Sequence, residues 1–196
     1  MSIKKKYDRS SEDMGNIVGL EHVNTQIPDQ GLATLFYITG LGLTRDPYLT
    51  TSTNNMWINV GRNQFHLPTR DPQVLRGRTG IVMPELDSLL KRLEMVKGQL
   101  KGTRFSYAVP NGNDVVDVTC PWGNKIRCHM PNERFYPMEL GIPYVQFDVP
   151  KGTAKGIARF YREIFAANAS EDEAEGAPAA RVSVGYRQEL IFRETK

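Results

Sequence analysis

The feature that most constrains this chain is that it repeats itself. Gly19-Leu-Glu-His-Val-Asn-Thr-Gln-Ile-Pro28 aligns without a gap on Gly141-Ile-Pro-Tyr-Val-Gln-Phe-Asp-Val-Pro150. Phe65-His-Leu-Pro68 matches Cys128-His-Met-Pro131 at a spacing of 63 residues, and the first pair is separated by 122, close to twice that. A chain with such self-similarity is built from copies of one supersecondary unit, here three copies of about 60 residues.

Each copy shows the same internal grammar. A strand of alternating apolar and polar residues comes first: His22 to Ile27, Arg78 to Met83 and Tyr144 to Val149. A short amphipathic helix follows, with apolar positions at Leu86, Leu89, Leu90 and Leu93 in the second copy. Leu32, Leu35 and Phe36, and then Ala154, Ile157, Ala158 and Tyr161, do the same in the others. Three strands close the unit: about 43–50, 55–60 and 64–67 in the first copy, and about 104–109, 115–120 and 125–130 in the second. The third has strands at about 181–185 and 188–193, its middle strand obscured by the acidic, Ala-rich run 169–180, which reads as a loop or mobile insertion. The unit is βαβββ, so the class is α+β. Residues 1–15 read as a flexible leader and Pro131 to Leu140 as a linker.

Composition narrows the function. Lys+Arg 25 against Asp+Glu 22 leaves +3, too small an excess to argue for nucleic acid or a membrane surface as partner. No run approaches the roughly 18 apolar residues of a membrane span. The two cysteines, Cys120 and Cys128, form neither a CxxC pair nor a disulfide framework, which points to a reducing cytoplasm and to core roles for both. No phosphate loop, dinucleotide fingerprint or nucleophile elbow is present.

Strand alternation decides which side chains share a face. If Val23, Ile27, Phe65 and Leu67 pack under the helix, then His22, Asn24, Gln26, Gln64 and His66 face the other way, with Trp57 and Asn59. In the second copy Arg78, Asp117, Thr119, Lys125, Arg127 and His129 take that same face. All three histidines of the chain therefore fall on it.

A tandem βαβββ module with histidine on its first and last strands resembles the vicinal oxygen chelate superfamily, which contains glyoxalase I, extradiol dioxygenases, and bleomycin- and fosfomycin-resistance proteins. The resemblance rests on Glu21-His-Val, Phe36-Tyr-Ile-Thr-Gly-Leu-Gly-Leu43, Phe65-His-Leu-Pro68 and Pro121-Trp-Gly-Asn124, and is repeated more weakly in Phe160-Tyr-Arg-Glu-Ile-Phe165. It implies curved mixed sheets with helices on the outer face, and a metal in the cup between two paired modules. On that basis residues 16–131 are expected to pair as one glyoxalase/dioxygenase-like domain. Residues 138–196 would be a third, structural module, whose position matching His22 is Tyr144. The odd module would leave the chain lacking a fourth unit or completed by a second copy, as a homodimer through 141–196.

The resemblance places His22 and His66 on ligand positions. In module two it selects Arg78 at the first-strand position, and either Arg127 or His129 at the last. The expected ligands are His22, His66 and His129 around one divalent ion, Fe(II), Mn(II) or Zn(II), with open positions for a small vicinal-oxygen substrate. Asp117 has the parity for a fourth ligand or general base, while Glu21 should point away. Arg78 and Arg127 would receive an anionic group, and Asn24, Asn59, Gln64 and Trp57 would complete the substrate pocket. The implied activity is extradiol-type oxygenation in preference to a lyase or isomerase step. The alternative is a metal-free protein that sequesters a small molecule.

Overall fold

The computed structural model describes residues 17–48, 54–110 and 114–196, and among these twelve strands, three α-helices and one π-helical segment are found. The expected leader lies outside the described residues. Among the described residues no helix is long and apolar enough to cross a membrane.

Module one opens with β1 (His22–Asn24), a strand of only three residues. Asp29 then caps α1 (Gln30–Ala33), its carboxylate accepting from the Leu32 amide at 2.9 Å. Replacing Asp29 by Ala should cost about 1 kcal/mol in chemical unfolding, the usual worth of such a cap. From Thr34 to Gly40 the helix widens to a π-helical pitch, and the Leu41 amide bonds to the carbonyl of Phe36, five residues back. The wider pitch buries Phe36 and Tyr37 together, their rings 4.8 Å apart, above Phe65. Strands β2 (Thr44–Arg45), β3 (Asn55–Val60) and β4 (Asn63–Pro68) complete a four-stranded sheet in the order β1-β4-β3-β2. Met56, Ile58, Val60, Phe65 and Leu67 are buried on its helix side, as the alternation requires.

Module two repeats the plan. It comprises β5 (Gly77–Val82), α2 (Leu86–Lys97), β6 (Ser106–Ala108), β7 (Val115–Thr119) and β8 (Lys125–His129). Leu86, Leu89, Leu93 and Val96 bury one stripe of α2, and Cys120 and Cys128 are buried free thiols. Burial pushes the Cys128 thiol up to about 12, which suits a core residue and not a nucleophile.

The strand that joins β5 corrects the expected pairing. Modules one and two do not share a sheet: β5 lies between β8, parallel, and β9 (Gly141–Pro150), antiparallel, with Arg78 opposite Gln146 and Gly80 opposite Tyr144. Two glycines make this approach possible. Gly77 has φ 143°, and a Cβ there would stand 1.9 Å from the Gln146 carbonyl oxygen; at Gly80 a Cβ would meet the Tyr144 ring at 2.3 Å. Residues 141–146 are buried without a break, the pattern of a strand covered on both faces. This pairing takes away the uncovered first-strand edge of module three on which the expected dimerisation rested. The first strand that ends its sheet is instead β1.

The chain divides into two compact units, Leu20–Phe147 and Asp148–Lys196, the second joined by residues 17–19. In the second, α3 (Ala154–Phe165) packs on β10 (Ala169–Ala174), β11 (Ala177–Gly185) and β12 (Gln188–Thr195). Tyr161 meets Phe192 at 5.5 Å, and the Arg193 guanidinium holds Asp148 at 2.8 Å. The acidic run is thus not an insertion but a hairpin. Glu175 and Gly176, both at positive φ, form its turn, Ala169 and Ala174 are buried at its ends, and Arg181 pairs with Asp172 and Glu189.

Candidate functional site

The polar face of module one gathers most of the residues expected there. Register pairs His22 with Gln64 across β1 and β4, and Trp57 with His66 across β3 and β4. The Trp57 and His66 rings stack at 3.9 Å, nearly parallel, and His22 stands edge-on to both, 5.2 Å from Trp57 and 6.0 Å from His66. The Asn24 amide donates to His66 Nδ1 at 3.0 Å, so the ring proton sits on Nε2 and is given to Asn55 Oδ1 at 2.7 Å. Burial, then the neighbouring His22, lowers the His66 pKa and keeps the ring neutral. Gln64 donates to Asn59 at 2.7 Å and to Asp46 at 3.0 Å. Glu21 does not point away: its carboxylate turns back onto His22 Nδ1, because β1 begins at His22 and Glu21 lies outside the alternation.

His129 stands elsewhere, and the expected three-histidine centre is not assembled. It lies at the end of β8, beside β5, with Nε2 paired to the Tyr144 hydroxyl at 2.9 Å. Among the described residues no three His, Cys, Asp or Glu side chains stand together as a metal site. Both ring nitrogens of His66 are taken by asparagines as well. The divalent ion implied by the resemblance does not fit these residues as they stand. The reason is topological, since β1 and β4 belong to one sheet and β8 to another.

The polar face of module two is a separate cluster. Arg127 donates in a fork to Asp117, Nε to Oδ1 at 2.7 Å and Nη2 to Oδ2 at 2.8 Å. The fork holds the Asp117 carboxyl below its usual range, with further contributions from Arg78 and His129. A carboxylate so committed is a weak base, and the general-base role expected of Asp117 is not supported by this geometry. His129 is pulled down to about 4, first by burial, then by the charges of Arg134, Arg127 and Arg78, with Asp117 opposing them. Phe135, from the expected linker, is buried 5.1 Å from the His129 ring, and Arg134 lies over both Phe135 and Tyr144.

Tyr144 and Arg134 were not anticipated here. The available signal was Gly80, which leaves a bare patch on β5 over which the Tyr144 ring lies to reach His129.

The chain has a glyoxalase-like α+β fold of βαβββ modules. Glyoxalase I from Zea mays superposes with a TM-score of 0.64 at 12% identity, over 97% of this chain and 70% of that one. The putative dioxygenase from Bacillus subtilis gives 0.59 at 15% identity, over 91% of this chain, which spans only 64% of the Bacillus protein's length. No family model and no curated protein sequence matches the chain.

Proposed function

We propose that the chain binds a small anionic molecule on the polar face of module two, without a metal held by the protein. The observation that carries this reading is that arginines gather round the His129–Tyr144 pair: Arg134 lies over the Tyr144 ring, Arg127 stands two residues from His129 on β8, and Arg78 is on the adjacent β5. A field of that sign favours a carboxylate, phenolate or phosphate. The neutral His129–Tyr144 pair would add hydrogen bonding to a second, neighbouring oxygen.

Salicylate, which carries a carboxylate beside a phenol oxygen, is the test ligand, titrated by calorimetry with and without EDTA. Binding is expected to survive EDTA, to be unchanged in His66→Ala, and to weaken about tenfold or more in Arg127→Gln, which removes one positive charge and leaves the Asp117 carboxylate unpaired to repel the anion. Binding that needs an added metal, or that Arg127→Gln leaves intact, would sink the reading.

A metal-dependent enzyme is the second reading, favoured by a different observation: the 6.0 Å approach of the His22 and His66 rings, with Glu21 beside them. Two imidazoles need further ligands from outside the described residues, and a second copy of the chain is one source, checked by light scattering. That reading keeps extradiol-type oxygenation ahead of a lyase or isomerase step. It expects about one divalent ion per chain in protein made without a His-tag, lost in His22→Ala. An ion content near zero after reconstitution with Fe(II), Mn(II) and Zn(II) would leave only the anion-binding reading.

A further inference from the structure

A cavity of about 190 Å³ opens where the end of the module one helix meets the start of α2, away from both polar faces. Leu41, Leu43, Met83 and Leu140 form its apolar walls, and Glu85, Ser88 and Arg92 its polar side. The first three leucine and methionine side chains are buried, whereas Leu140 is 36% exposed.

Arg92 is the unusual member. Its guanidinium packs on Gly42, where a Cβ would stand 2.6 Å from Nε, and one Nη donates to the Leu41 carbonyl at 3.2 Å. Nε is shut off from solvent with no hydrogen-bond partner. Among the described residues no carboxylate pairs with this half-buried cation, although Glu85 lines the same cavity: its carboxylate accepts from the Ser88 hydroxyl at 2.8 Å. Nε is closed to any ligand, but the half-buried charge has no carboxylate against it, and a ligand carboxylate meeting the rest of the guanidinium from the cavity would pair it.

We propose that this cavity is a binding site for a small apolar monocarboxylic acid, its carboxylate on Arg92 and its hydrocarbon body against Leu41, Leu43, Met83 and Leu140. About 190 Å³ is well under the roughly 300–1,000 Å³ of pockets that take drug-sized ligands, so a small ligand such as a short-chain acid suits it. Glu85 on the same lining selects against a second negative charge, so dicarboxylates and inorganic phosphate are disfavoured.

Hexanoate is the probe, followed by carbon-13 NMR of the Met83 and leucine methyl groups. The Met83 methyl should shift saturably with hexanoate, and at least tenfold more weakly with 1-hexanol or adipate. Arg92→Gln should weaken hexanoate at least tenfold, whereas Arg159→Gln, an exposed arginine in neither site, should leave it unchanged. Should Arg92→Gln not fold, Leu140→Asn at the exposed edge carries the comparison and should also weaken binding severalfold. No saturable shift at Met83, equal binding of hexanol, or full affinity in Arg92→Gln or in Leu140→Asn would each overturn the proposal.

Discussion

Gly77→Ala is expected to destabilise the protein by about 3 kcal/mol, through backbone and not through lost side-chain packing. The added methyl would lie 1.9 Å from the Gln146 carbonyl oxygen, an atom that no rotamer change can move aside. Gly77 also sits at φ 143°, a region closed to a residue with a Cβ. Relief requires β9 to move off β5, which breaks the ladder around Arg78 and Gln146. Urea unfolding should show a lower midpoint at unchanged slope. Gly98→Ala, where a Cβ meets nothing within 4 Å and φ is helical, is the control and should lie within about 0.5 kcal/mol of the parent. A Gly77→Ala protein as stable as the parent would mean that β5 and β9 do not pair as described.

Acid should weaken the fold well above the pH at which carboxylates protonate. His129 is held at about 4 in the native protein against an ordinary value near 6.5, so between those values the unfolded chain binds the extra proton. Stability therefore rises with pH across this window: the contribution is complete above pH 6.5 and is lost as pH falls toward 4. Allowing for solvent screening of a partly exposed ring, the loss is about 2 kcal/mol. Asp117 is shifted downward from the carboxylate range, so its contribution is lost at lower pH. His66 acts in the same direction as His129. Urea midpoints measured from pH 7.5 to 4 in the parent and in His129→Gln separate the two histidines. The variant should flatten most of the slope, and an unchanged slope would place the acid sensitivity on His66.

Much of the site was legible before any fold was known, because alternation along a strand is local. His22, Asn24, Trp57, Asn59, Gln64 and His66 share a face, and so do Asp117 and Arg127, since a period of two leaves no other arrangement within one strand pair. Glu21 escaped the rule by standing just before β1. The acidic run escaped it because Ala169 to Ala174 carries little apolar patterning, and the Glu175–Gly176 turn is its only strong signal.

The repeat that constrains the chain most strongly determined the βαβββ unit, its helix stripes and the faces of its strands, all of them properties of neighbours in sequence. Which module edges would meet was not among them. Three similar edges can pair in more than one way, and each pairing satisfies the same backbone hydrogen bonds. Only the tertiary structure decided, through two bare glycines on β5 that admit the Gln146 carbonyl and the Tyr144 ring. With that choice His129 joined Tyr144 and three arginines, and left His22 and His66 as a pair on a separate sheet.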